Sequence, residues 1–109
     1  MTPPRVVLES PFTGLTPKVR RENLTYALAC LHDSLRRGEA PFASHLLYAR
    51  VLDDNDAEER RQGINAGLAW IGAADYVVLY EDRGVSNGMK QAIVEAERLG
   101  KRIERRRLT

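Results

Sequence analysis

Cysteine is almost missing from this 109-residue chain, and so are long apolar runs. The single thiol, Cys30, has no intrachain partner, which excludes a disulfide framework and makes a reducing, cytoplasmic setting the expectation. No segment approaches the roughly 20 apolar residues that a membrane span requires. The first apolar run, Val6-Val7-Leu8, is bounded by Arg5 and Glu9 and is too short for a signal-peptide core. With two histidines and one cysteine there is no metal-ligand spacing, and Asp53-Asp54-Asn55-Asp56 lacks the glycine and closing glutamate of an EF-hand loop. Neither a metal nor a cofactor is expected. An excess of one charge is absent too, because the net charge is only +2. The basic run from Lys101 to Arg107 has no interleaved aromatics for base stacking. A nucleic-acid contact there is the alternative to a solvated end strand and tail.

What is present is ordinary for a globular chain: 43% apolar and 29% charged residues, enough for a single domain over 1–109. Strand and helix patterns alternate, the mark of an α/β fold. A strand over 5–9 leads to a helix from Thr16-Pro17, with threonine as N-cap and proline at the first helical position. Its apolar spacing predicts Val19, Leu24, Ala27, Leu28, Leu31 and Leu35 as the inward face, with Gly38 as the stop. A short strand over 40–44 follows, then a helix over about 56–73 whose Glu58 and Glu59 suit the helix dipole. Gly63 and Gly67 in its interior predict a close approach to another element. A strand over 75–80, a helix over 86–99 facing inward with Met89, Ala92, Ile93, Ala96 and Leu99, and a strand over 101–105 complete the chain. Right-handed crossovers then give a small parallel sheet of four or five strands flanked by helices, a flavodoxin- or Rossmann-like three-layer sandwich, and analogy with flavodoxin-like sheets gives the strand order 2-1-3-4.

Function is expected at the carboxyl ends of the first and third strands, where open α/β sheets build ligand sites. The first strand runs into Glu9-Ser10-Pro11-Phe12-Thr13-Gly14, the third into Glu81-Asp82-Arg83-Gly84-Val85-Ser86-Asn87-Gly88. Ser86 and Gly88 fall at a helix N-terminus, whose free amides favour an anion such as phosphate.

These segments resemble the nucleoside 2-deoxyribosyltransferase-like superfamily, including its small phage and bacterial members of unknown function. Val7 to Gly14 is similar to the family's first-strand loop. Arg21-Glu22-Asn23 and the stretch from Gly38 to Tyr48, with Pro41 and His45, are similar to its next segments. Ala74 to Val78 resembles its third strand, and Ser86-Asn87-Gly88-Met89 its serine-x-glycine loop, which holds a 5′-phosphate in nucleotide-cleaving members. The resemblance implies a nucleoside or nucleotide ligand, N-glycosidic cleavage or transfer without a cofactor, and a homodimer. It also exposes a departure. Six residues after that serine the family carries a nucleophilic glutamate, and here the position is Ala92. A non-catalytic module that senses or sequesters nucleotides is therefore the second reading.

Each candidate has a plainer account beside it. Glu9 is a catalytic carboxylate or a loop-shaping partner of an arginine such as Arg20. Asp82 is a second catalytic carboxylate that contacts a ribose hydroxyl, or a turn cap. Ser10, Pro11, Phe12, Thr13 and Gly14 line the first lip, and Gly84, Ser86, Asn87 and Gly88 the second. Arg21 is a phosphate clamp or solvated charge. His45 has a near-neutral intrinsic pKa suited to acid–base work. Trp70 and Tyr26 are expected in the core or at a subunit interface, and His32 at the surface.

Overall fold

The computed structural model describes residues 2–109. Four parallel strands, β1 (Arg5–Glu9), β2 (Ala40–Phe42), β3 (Tyr76–Tyr80) and β4 (Arg102–Arg106), form one sheet in the order β2-β1-β3-β4. The helices α1 (Pro17–Arg36), α2 (Ala57–Ala69) and α3 (Asn87–Arg98) are the crossovers. The order is the predicted one, and it follows from the residue pattern. β1 and β3 are continuous apolar runs because, as inner strands of a parallel sheet, they are covered on both faces. β2 and β4 are the edges, blunted respectively by Pro41 and by a row of charges.

Two cores result, one on each face. Val6, Leu8, Val78 and Tyr80 pack with Cys30 and Ala43 on the α1 side. Val7, Val77 and Leu79 pack with Ile71, Met89, Ala92 and Ala96 on the α2–α3 side. Alternation along β1 puts Glu9 on the same side as Val7.

Local signals hold at the termini of the helices. Thr16 caps α1 by accepting from the Val19 amide, Asp56 caps α2, and Ser86 caps α3 by accepting from the Met89 amide at 3.3 Å. Gly38 ends α1 with φ +86°. Within the elements there are differences. β2 is only Ala40–Phe42, and two short 3-10 turns, Ser44–Leu46 and Tyr48–Arg50, carry the chain onward. The second helix stops at Ala69 and passes into a 3-10 turn over Ile71–Ala73. The inward face of α1 is Asn23, Ala27, Cys30 and Ser34, whereas Leu28 and Leu35 are half exposed. The helix is rotated from its most apolar setting because Asn23 and Ser34 meet polar partners in the interior: Asn23 Nδ2 donates to the carbonyls of Phe12 and Thr13, and Ser34 Oγ donates to Glu39. The predicted helix over 86–99 ends at Arg98; Leu99 caps it on the surface, and Met89, Ala92 and Ala96 are its buried residues. Tyr26 is partly buried, Trp70 is half exposed and packs on Phe42, and His32 is exposed. No helix among the described residues is long and apolar enough to cross a membrane.

Candidate functional site

A cavity of about 220 Å³ opens at the carboxyl edge of the sheet. Its first wall is the end of β1 and the loop beyond it: Glu9, Ser10, Phe12 and Thr13. Its second is the first turn of α3, with Ser86, Asn87, Gly88 and Met89. The amides of Asn87 and Gly88 belong to the first turn of a helix, where no intrahelical acceptor exists, and both residues border the cavity. The third wall is the 3-10 region and α2, bringing Ser44, His45, Tyr48, Leu52, Gly63, Ile64, Gly67 and Leu68. Asp54, Glu59 and Arg60 complete the rim.

The polar groups differ in how far their neighbours satisfy them. Ser10 is buried, and its hydroxyl lies 3.0 Å from His45 Nε2. The His45 ring also meets Phe12 edge-on, with centroids 5.4 Å apart. Burial holds the imidazole well below its usual range, at about 4, so it is neutral at physiological pH. Glu9 behaves in the opposite sense. Burial alone raises its carboxyl to about 8, with no compensating donor or cation. Both residues are thus uncharged at neutral pH. A neutral carboxylic acid is a hydrogen-bond donor and a proton source, and it is a poor nucleophile.

The expected residues do not all meet here. Asp82 is held elsewhere: it accepts from Tyr26 Oη at 2.6 Å, from the Leu108 amide and from the Thr109 hydroxyl. Its burial opposes ionisation, but these hydrogen bonds outweigh that cost and bring its pKa down to about 2. It ties the chain end to α1 and does not border the cavity. Gly84 also lies away from the cavity; its φ of +90° makes it a turn residue. Arg21 is exposed and outside the lining, while Arg20 donates to the Gly14 carbonyl at 2.8 Å and so holds the loop. Pro11 and Gly14 shape that loop from behind, since a Cβ on Gly14 would stand 2.5 Å from Val19 Cγ1. Gly88, unlike Gly84, has no positive φ.

Sequence reasoning missed two contributors. Asn23 anchors the Phe12-Thr13 backbone and accepts from Arg83 Nε at 2.8 Å, which fixes the first lip. The cavity-facing stripe Gly63-Ile64-Gly67-Leu68 of α2 was read only as a packing surface. The close approach that its glycines predict is present: a Cβ on Gly63 would stand 3.1 Å from Leu52 Cδ1, and one on Gly67 2.5 Å from Ser44 Oγ. The basic run near the chain end is largely engaged within the protein: Arg102 lies over Tyr76, Arg105 pairs with Glu81, and Arg106 with Glu39 and Glu104.

Fold and site together define a small doubly wound α/β domain with its cavity at the carboxyl edge of the central strands. Residues 4–106 match a family described as a domain of unknown function (DUF7768), and the chain belongs to it. No curated protein matches the chain. Among solved structures, the chain is similar to a 2-deoxyribosyltransferase from the psychrotolerant bacterium Bacillus psychrosaccharolyticus, with a TM-score of 0.72 and 19% identity over 96% of this chain and 73% of that one. At that identity the likeness is one of fold.

Proposed function

We propose that the cavity binds a nucleoside- or nucleotide-like ligand. The observation that carries this reading is the convergence, in one cavity, of an aromatic-lined loop after β1 with the open first turn of α3. The first suits a heteroaromatic ring and a sugar, the second a phosphate. The shared fold with a nucleoside-processing enzyme supports the same class of ligand. In this reading Phe12, Thr13 and His45 contact the base and sugar, and Ser86, Asn87 and Gly88 receive the anion. Any cleavage of an N-glycosidic bond would draw on Glu9 as the acid.

A second reading, binding without cleavage, is favoured by one observation. Ala92, where the resemblance would put the nucleophile, is fully buried in the α2–α3 core and does not border the cavity. Pairing of two subunits would cover exposed Leu28 and Leu35 on α1.

A thermal-shift screen with nucleosides and with mono-, di- and cyclic nucleotides tests the proposal, each binder then being incubated and assayed for free base by chromatography. Stabilisation by at least one of them is the expected result. Release of base makes the protein a glycosidase or transferase, and an intact ligand makes it a binding module. No stabilisation by any of them would refute the ligand class.

Gly88 gives a second test of the site. It sits in helical conformation with open space where a Cβ would be, the nearest atom being Ser86 Oγ at 3.9 Å. Gly88→Ala is expected to stabilise the ligand-free protein by about 0.5–1 kcal/mol, as alanine does in helices. It should weaken ligand binding, because the new methyl stands between ligand and backbone. A variant that gains stability and keeps full affinity would remove Gly88 from the site.

A further inference from the structure

Within the nucleoside reading, on which this inference rests, one side chain still lacks a partner. Glu9 ends a central strand, in register with Leu79 of β3, and turns toward the side that α2 and α3 cover. Among the described residues, none of the groups that share the cavity with it is hydrogen-bonded or ion-paired to it. The Ser10 hydroxyl is already engaged with His45 Nε2 at 3.0 Å. From the 3-10 turn comes His45, which burial keeps neutral. From α2 and the loop before it come Asp54, Glu59 and Arg60, with Glu59 committed to the Asp53 amide at 2.9 Å. The first turn of α3 brings Ser86, Asn87 and Gly88, none of them charged. A carboxyl group on the cavity wall, with no hydrogen bond within the protein and in the neutral form its surroundings favour, carries an O–H free to meet an acceptor on a ligand.

We propose that Glu9 meets its ligand as an uncharged carboxylic acid, donating its O–H to an acceptor on a neutral heteroaromatic base, either a ring nitrogen or an exocyclic carbonyl oxygen. Phe12 on the same lip and His45 on the adjoining wall give the ring a surface to pack on, and the anion of a nucleotide is left to α3. This assigns Glu9 to ligand selection. It favours bases that present a bare acceptor, and it disfavours ligands that bring a hydrogen-bond donor to that point.

The protonation state fixes the sign of the pH dependence. Burial puts the carboxyl at about 8, so the donating form predominates below that pH and is lost above it. Titration calorimetry with 2′-deoxyadenosine and 2′-deoxycytidine, whose bases do not titrate between about pH 6 and 9, reads this directly. The affinity of the wild-type protein should be flat at the acid end and fall toward tenfold per pH unit above about 8. Glu9→Gln keeps an N–H donor and no titrating group, so it should bind with a flat profile and within a few-fold of the low-pH wild-type affinity. A wild-type profile that is flat across the range overturns the inference, even if Glu9→Gln fails to fold. So does affinity that rises with pH, which would show the carboxylate accepting from a ligand donor. If neither these nucleosides nor their 5′-monophosphates bind at any pH, this inference falls, and the ligand class falls with it where the wider screen also shows no binder, whereas pH-independent binding removes only the role of Glu9.

Discussion

Removing either partner of the buried Glu39–Arg106 pair should cost about 3–5 kcal/mol of stability, more than any other single polar substitution in this chain. Both side chains are about 5% exposed or less, and their contacts join parts of the chain that lie far apart in sequence. Arg106, in the edge strand β4, donates through both Nη atoms to Glu39, through Nη1 to Tyr80 Oη at 3.1 Å and through Nη2 to Glu104 at 2.9 Å. Glu39, between α1 and β2, also accepts from Ser34 Oγ at 2.7 Å and from Tyr76 Oη. The cluster therefore connects one edge of the sheet to the other beneath α1. Glu39→Gln leaves a buried guanidinium with the partly exposed Glu104 and the more distant Asp33 as its counter-charges, and Arg106→Met leaves a buried carboxylate with only two hydroxyl donors. The double variant Glu39→Leu/Arg106→Met should be more stable than either single variant, because it leaves no unpaired charge. Urea denaturation checks all three, and a single-variant loss below about 1 kcal/mol would show that the pair is solvated.

The same cluster sets an acid limit. Burial alone would raise the Glu39 pKa, but the hydrogen bonds from Arg106, Tyr76 and Ser34 outweigh it and hold the carboxyl at about 2, against 4.5 for a free glutamate. A depressed folded-state pKa gives stability that is complete above the unfolded value and disappears as the folded value is approached. Wild-type stability should accordingly fall as pH drops from about 4.5 toward 2, and Glu39→Gln should flatten that part of the profile.

The frame of the fold was legible because its signals are local. The apolar runs of β1 and β3, Thr16-Pro17, Asp56 and Ser86 each act on residues within one turn or strand, and strand order followed from analogy with flavodoxin-like sheets. The polar interior was not legible, because its partners are remote in sequence. Nothing near Asn23 announces that it will hold the carbonyls of Phe12 and Thr13, nor does anything near Glu39 announce Arg106. A leucine-rich helix such as α1 reads as if its leucines face inward, whereas its buried face carries Asn23 and Ser34, each bonded to a loop that flanks the helix. The same limit applied to the site. Glu9, Ser10, Phe12 and the α3 terminus lie on loops that the topology itself brings together at the sheet edge. Asp82 carries the same kind of signal, yet its acceptor capacity is taken by Tyr26 and by the chain end, which no motif reveals. Chemistry-bearing residues at a strand end thus identify the edge where a site forms. Which of them face the cavity depends on what else needs them.

The second large effect is expected at Gly67, where helix packing and the site meet. Alanine in a helix interior normally improves stability by about 1 kcal/mol over glycine. Here a Cβ would stand 2.5 Å from Ser44 Oγ and 3.1 Å from Ser44 Cβ; the hydroxyl can turn aside, but the Cβ contact remains, so the 3-10 turn over Ser44–Leu46 has to give by a few tenths of an ångström. Overpacking of this kind costs about 1–3 kcal/mol, and Gly67→Ala should be destabilising despite its better helix propensity. The strain should move the 3-10 turn more readily than α2, since that turn has only one residue between it and the next. His45 rides on it, so the contact with Ser10 and the packing against Phe12 should loosen. Ser44→Ala removes the atom at 2.5 Å and leaves the 3.1 Å neighbour, so the double variant Ser44→Ala/Gly67→Ala should recover most of the loss. Denaturation of the single and double variants measures the coupling, expected at about 1 kcal/mol or more for residues in direct contact. Additive effects would show that α2 has room to shift on its own, and would separate the packing of this helix from the position of His45.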